Sequence, residues 1–341
     1  MKMISFCTLL LLTSCFIPYG QEAWTVMTWN VQNLFDAVDN GDEYPEFDPG
    51  SGDWNSRLFK RRLDRVAEVV VKTVPGGADL VVFQEIENGN VLEQLLEGPL
   101  KGRGYDYALS IPGFGIIRCG IISRHPIEKV NAVDCGEWFE RSLRPALSFS
   151  VRIGEKETVN VIALHWKSPR GNRAATEEPR RREARIVRDM VRNRIQADPE
   201  AAILILGDLN TPGDGLIRPA ALGPYGLPAG EAVLWRTDVA EFPPFDTDEI
   251  VLYDPEPVSG PPGTYNYRGD WDRPDRALLS SGLVQGSGLL FLGARVGELA
   301  VMLDNQGHPL RWRTDLEEGY SDHLPLILEF EFVDTLEENA R

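Results

Sequence analysis

The sequence predicts a single α/β domain in which part of the sheet structure is antiparallel. Three observations carry that prediction. Leu80-Val81-Val82-Phe83 and Ile203-Leu204-Ile205-Leu206 are apolar runs without alternation, the pattern of strands buried on both faces. Each follows a segment with apolar residues at helical spacing: Phe59, Leu63, Val66 and Val70 before the first, Ala184, Val187, Val191 and Ile195 before the second. Between them, Tyr105 to His165 holds strand-like segments with no room for crossover helices, so those strands are expected to pair antiparallel. The chain has 341 residues, 43% of them apolar, enough for a full core.

The elements follow in order. Lys2 and the apolar stretch Phe6–Leu12 form an export signal too short to span a membrane as a mature helix. Leu12-Thr13-Ser14-Cys15 matches the lipobox of bacterial lipoproteins, so the leader ends either at a lipidated Cys15, attached to the membrane, or at an ordinary cleavage near Gly20–Ala23. Residues 1–23 are therefore read as leader and tether, 24–333 as the domain and 334–341 as a frayed tail. Trp24–Val31 alternates as a strand ending near Asn30, and Asp36–Asp53 is an acidic surface loop rich in Gly and Pro. Ser56 caps the first helix, which stops at Pro75-Gly76-Gly77. Strands are expected at Leu80–Phe83, Tyr105–Ser110, Ile116–Ser123, Lys129–Val133, Ala146–Val151 and Thr158–Leu164. Ile121–Val133 looks like a hairpin flanked by Cys119 and Cys135, which suggests either a cross-strand disulfide or two buried thiols. Pro179 opens an arginine-rich helix. After the strand Ile203–Leu206, Pro212–Gly263 is a long Pro/Gly-dense loop, and Ala277–Ser280, Leu289–Val296 and Leu324–Phe332 are the last strands.

Polar groups recur at the edges of these strands. Asn30, Glu85, His165 and Asp208 with Asn210 stand where strands finish; Asp275 and Asp322-His323 stand where strands begin. Convergent strand ends assemble carboxylates, amides and imidazoles in one cleft. Oxygen donors without a thiolate cluster or closely spaced histidines suit Mg2+ or Mn2+ better than Zn2+. Such a site is suited to phosphate-ester cleavage.

Five segments occur in a telling order: Thr28-Trp29-Asn30-Val31, Gln84-Glu85, Gly207-Asp208-Leu209-Asn210, Asp275-Arg276 and Ser321-Asp322-His323-Leu324-Pro325. Together they resemble the endonuclease/exonuclease/phosphatase superfamily, the fold of deoxyribonuclease I, over Trp24 to about Phe332. The resemblance implies a four-layer α/β/β/α sandwich with two packed β-sheets. It implies metal-side roles for Glu85, Asn30 and Asp322, a catalytic His323 oriented by Asp275, and water and phosphoryl positioning by Asp208 and Asn210. Whether Asp208 or His323 takes the proton stays open. His165 resembles a second histidine, an acid for the leaving oxygen, although no glutamate near Ile116–Arg118 matches its partner; Arg144 and Lys167 are candidate phosphate contacts, and Arg170 could share that role with Lys167. Gln32 stands where some nucleases carry an acid.

The net charge of −17 and pI near 4.8 argue against a protein that holds duplex nucleic acid through a broad basic face, but not against an enzyme that meets a polyanion at one metal-loaded site. The expected function is an exported, monomeric, Mg2+-dependent phosphodiesterase, foremost a nuclease of broad specificity with nucleic acid as substrate. The same fold also accommodates a phosphatase or phospholipase C-type enzyme on inositol phosphates or sphingolipids. A catalytically dead surface binding lipoprotein ranks last, because Glu85, Asp208 and His323 are all present.

Overall fold

The computed structural model describes residues 23–113, 115–155, 157–170, 174–210, 233–236 and 250–333. The expected leader, Cys15, the tail and most of the loop after Pro212 lie outside them. The strands are β1 Ala23–Leu34, β2 Leu80–Ile86, β3 Tyr107–Ser110, β4 Arg118–Ser123, β5 Ile127–Val133, β6 Glu137–Trp138, β7 Arg141–Ser142, β8 Ala146–Ile153 and β9 Glu157–His165. They continue with β10 Ile203–Asp208, β11 Val233–Arg236, β12 Ile250–Tyr253, β13 Tyr265–Tyr267, β14 Asp270–Asp272, β15 Asp275–Leu279, β16 Leu289–Val296 and β17 Leu326–Phe332. The helices are α1 Ser56–Thr73, α2 Gly89–Glu97, α3 Glu177–Ala197 and α4 Ser281–Gln285.

Six strands form one sheet in the order β16-β17-β1-β2-β4-β3, and seven form the other in the order β11-β12-β15-β10-β9-β8-β5. Three apolar layers hold them together. One lies between α1, α2 and the first sheet (Trp29, Phe83, Leu63, Leu95), one between the sheets (Val26, Val82, Val161, Leu204), and one between the second sheet and α3 (Ile205, Val187, Val191). This is the four-layer sandwich. It explains the unbroken apolar runs, because in β10 Leu204 and Leu206 face the other sheet while Ile203 and Ile205 face α3. The crossovers through α1 and α3 make β1/β2 and β9/β10 parallel, and β3/β4, β5/β8 and β8/β9 pair antiparallel as expected.

Three expectations are corrected, and one helix is added. The chain does not form a hairpin over Ile121–Val133: β4 and β5 belong to different sheets. Cys119 is therefore buried between the sheets and Cys135 between the second sheet and α3, both are free, and burial pushes both thiols up to about 12. The α1 cap is Asn55, whose carboxamide accepts from the N–H groups of Arg57 and Leu58, not Ser56. Asp36–Asp53 is no plain surface loop, since Phe47 within it stacks on Phe35 at 4.9 Å and meets Trp54 edge-on at 5.1 Å, all three buried. Finally α2, with Asn88 as its cap and Val91, Leu92 and Leu95 buried, has no counterpart in the sequence reading.

Among the described residues no helix is long and apolar enough to cross a membrane.

Candidate active site

The second sheet places its residues by register alone. Asp208 at the end of β10 pairs with His165 on β9 and with Asp275 on β15. Cross-strand partners share a face. Because Ala163, Leu206 and Ala277 point between the sheets, the residues two positions away in each strand do too. His165, Asp208 and Asp275 thus form a buried row at the open end of the inter-sheet layer. Gly207 makes this close pairing possible. Its φ is 141°, and a Cβ there would lie 1.9 Å from the Leu164 carbonyl oxygen. Beyond the strand, Asn210 turns left-handed (φ 49°), donates its backbone N–H to Asp208 Oδ1 at 2.9 Å and its amide to the Trp166 carbonyl at 3.0 Å.

The first sheet works differently. Asn30 keeps the inter-sheet face of β1, but strand alternation puts Glu85 on the helix side with Val81 and Phe83. A bulge corrects this. Val31, Gln32 and Asn33 stand opposite Glu85 alone, because the register jumps from Asn30↔Gln84 to Leu34↔Ile86. Gln32, Asn33 and Glu85 all have positive φ (53°, 53° and 65°), which turns the Glu85 carboxylate into the cleft. Glu85 Oε2 accepts from the Asn33 N–H at 3.0 Å and Oε1 from Asn30 Nδ2 at 3.1 Å. Asn30 Nδ2 also donates to Asp208 Oδ2 at 3.0 Å, joining the two sheets at the site.

His323 arrives from the segment before β17. Ser321 Oγ donates to the Asn30 carbonyl and accepts from the His323 N–H, and Trp29 Nε1 donates to the His323 carbonyl. His323 Nδ1 lies 2.7 Å from Asp275 Oδ2, which also accepts from Thr264 Oγ1 at 2.6 Å. Tyr265 covers the imidazole, ring centroids 4.9 Å apart. Gln32, in the position of the missing acid, is a clasp: its amide donates to the Trp312 carbonyl and accepts from the N–H groups of Trp312 and Asp322. Beneath it the buried Arg62 donates to the carbonyls of Val31, Gln32 and Tyr320; burial pulls its guanidinium down to about 9, although Asp322 and Glu85 oppose this.

The two histidines carry opposite charge states. Burial works against the His323 cation, but the charge and hydrogen bond of Asp275, with Asp208 and Asp322, raise its pKa well above 6.5. Burial, then Arg144, His323 and Lys167, push His165 well below 6.5, so it is neutral near pH 7. Its Nδ1 has no hydrogen-bond partner among the described residues, and its Nε2 stands 3.7 Å from both Glu85 Oε1 and Asp208 Oδ2. Burial raises Asp208 to about 7; Asp275 adds to this, while His323 and the donors from Asn30 and Asn210 oppose it.

The donor set fits a hard divalent cation. Asn30 Oδ1 accepts from the Gln32 N–H at 3.0 Å; a backbone N–H only donates, so the amide orientation is fixed with Nδ2 on the carboxylates. Asn30 thus organises Glu85 through its amide nitrogen, and its Oδ1 keeps a second lone pair for a metal ion. Glu85 and Asp322 both line the cleft and offer the carboxylate oxygens such an ion takes. Ligand atoms of Asp208, Asp275 and His323 also fall within 4.8 Å of one another, but His323 Nδ1 is engaged by Asp275.

The cleft encloses about 380 Å3 and is lined by every expected site residue except Asn30, Asp275 and Lys167. Asn30 and Asp275 lie directly beneath it as hydrogen-bond partners of Glu85 and His323. Lys167 is turned away, with its ammonium 4.9 Å over the Trp138 ring. Arg144 lines the cleft and donates to the carbonyls of His165 and Trp166. Arg170, 3.8 Å from Asp322, takes the position expected of Lys167. Tyr44, Glu46 and Arg311 also line the wall; sequence reasoning passed over them because they stand on loops without periodic signal.

A two-sheet sandwich with such a cleft at its open end is the architecture of the deoxyribonuclease I-like superfamily, a superfamily of phosphoric ester hydrolases. The family model described as Endonuclease/Exonuclease/phosphatase family matches residues 25–216. The chain belongs to that family, which depends on divalent metal ions. Among solved structures it is similar to truncated Caenorhabditis elegans TDP2 (17% identity, 91% of this chain and 98% of that chain, TM-score 0.52). It is also similar to an endonuclease/exonuclease/phosphatase family protein from Bacteroides thetaiotaomicron (14%, 92% and 99%, 0.54) and to beta toxin 275-280 from Staphylococcus aureus (16%, 89% and 99%, 0.57). At these identities the likeness is one of fold. No curated protein matches the chain.

Proposed function

We propose that the protein is an exported, Mg2+- or Mn2+-dependent phosphodiesterase, and that its substrate is nucleic acid. The observation that carries this reading is the row His165–Asp208–Asp275 facing Glu85 across Asn30, with His323 a cation on the one carboxylate and His165 neutral beside the other. Glu85 and Asp322 would hold the divalent cation, which would neutralise phosphate charge when bound. The chain's own groups do the rest. Asp208, raised to about 7, orients an attacking water through one oxygen and takes its proton as the bond to phosphorus forms. The His323 imidazolium donates to a phosphoryl oxygen, and Asp275 holds its ring in line. Arg144, beside His165, presents its guanidinium to the phosphate, and the neutral His165 hydrogen-bonds the leaving oxygen, which departs with the electron pair of the broken P–O bond and takes a proton from water.

The test is a panel of plasmid DNA, RNA, a small phosphodiester, inositol phosphates and sphingomyelin with Mg2+, Mn2+ or Ca2+. Nucleic acid cleavage abolished by chelation is expected, with His323→Ala and Glu85→Gln each losing about 100-fold or more. No turnover of any substrate refutes the enzyme, and near-normal rates in either variant refute the site. Export and lipidation at Cys15 are proposed from the leader sequence alone, and loss of membrane partitioning in Cys15→Ala is the expected result.

A further inference from the structure

The hairpin β6–β7 plays no part in the chemistry above, yet it is built onto the catalytic wall. Its two turn residues, Phe139 and Glu140, both have positive φ (47° and 60°), the two-residue turn in which Asn-Gly is the favoured pair. Phe139 instead stands there 77% exposed, its ring 4.6 Å from Trp138 in an edge-on contact. The base of the hairpin is anchored on the strand end that carries His165. Trp138 packs in the layer with Leu143 and Trp166, and its ring lies under the Lys167 ammonium. The Leu143 N–H donates to the Gly136 carbonyl, and Arg182 Nη1 donates to the Glu137 carbonyl at 3.1 Å. Arg144, which lines the cleft, follows the hairpin directly.

We propose that this hairpin is a nucleobase-stacking arm, in which Phe139 takes the face of an unpaired base adjoining the phosphodiester in the cleft. The inference rests on the nuclease reading and narrows it to single-stranded substrate. An aromatic ring on a rigid tip gives a sequence-tolerant grip on base faces, which duplex DNA hides. A net charge of −17 weakens long-range attraction for the nucleic-acid backbone, so a local grip of this kind supplies what that attraction does not. Arg141 and Arg182 add cations at the hairpin base. Glu140, beside Phe139 in the tip, opposes burial in a bilayer but not stacking at an aqueous base face.

The experiment compares kcat/KM, with Mg2+, for a single-stranded oligonucleotide and the same oligonucleotide carrying abasic sites around the scissile bond. The wild type is expected to favour the base-bearing strand by about tenfold. Phe139→Ala and Phe139→Asn, the latter suited to the turn, bring that ratio near one, and Phe139→Trp keeps it. If the wild type cuts both oligonucleotides but the ratio is unchanged in Phe139→Ala, the arm is overturned and the nuclease reading stands. If the wild type cuts no oligonucleotide and Phe139→Ala instead loses adsorption to phosphatidylcholine–sphingomyelin vesicles, the nuclease reading and the arm fall together.

Discussion

The two sheets deliver their residues to one cleft by opposite means. The second sheet uses regular strands: β9, β10 and β15 stay in register to their last residues, and His165, Asp208 and Asp275 align because side-chain direction repeats every two residues. The first sheet breaks its strands. The bulge and the left-handed backbone at Gln32, Asn33 and Glu85 redirect a carboxylate that alternation alone would bury among Val81, Phe83 and α1. One side of the site is therefore cheap in backbone energy and strict in register. The other is strained, at about 1–2 kcal/mol for each left-handed non-glycine residue. Strain at the Glu85 side is held in place by Gln32, whose side chain clasps the segment that brings Asp322.

Substitutions sharpen that contrast. Asp208→Asn on the regular side keeps the shape but removes the base, and its carboxamide oxygen can accept from only one of Asn30 Nδ2 and the Asn210 N–H; kcat is expected to fall about 10^3-fold. On the strained side, Glu85→Gly should lose about 100-fold in activity while its unfolding midpoint stays level or rises, because glycine adopts φ 65° freely. A clear drop in stability in that variant would show that the carboxylate's hydrogen bonds outweigh the backbone strain.

The pH profile tests the same pairing. Asp208 must be ionised to accept a proton, and its folded value near 7 means that kcat/KM falls about tenfold per unit below pH 7. His323 must stay protonated, and because its pKa is raised, the alkaline limb should begin well above 6.5. A single limb centred near pH 4 would place the base elsewhere. The smallest effects separate two cations of the wall: Arg144→Ala should cost about 10–100-fold, and Lys167→Ala, whose ammonium rests on Trp138, less than about threefold.

Much of this was legible in sequence where local pattern and burial agree. In sequence the β10 run ending in Gly207-Asp208 has the pattern of a doubly buried strand, and Asn30, Glu85, His165, Asp208, Asp275 and Asp322-His323 stand at strand edges that can share one cleft. Lys167 was misplaced because its neighbours in space, Trp138 and Glu183, come from a hairpin and a helix remote in sequence. The expected hairpin around Cys119 and Cys135 failed for a related reason. A short turn at Arg124–Pro126 can close a hairpin or carry the chain to another sheet, and the apolar pattern of β4 and β5 is the same in both cases.

By itself the sequence determined the order of strands and helices, the doubly buried strands and the identity of the polar groups at their edges. These follow from period-two and period-3.6 patterns and from the exclusion of unpaired polar groups from a strand interior. Only the tertiary structure decided which way Glu85 points, that His323 is charged and His165 is not, and that Arg170 rather than Lys167 reaches the cleft. Each of those depends on partners brought from distant parts of the chain. The field at an imidazole is set by which carboxylate lies within hydrogen-bond reach and how much water is displaced, and neither is written in local spacing.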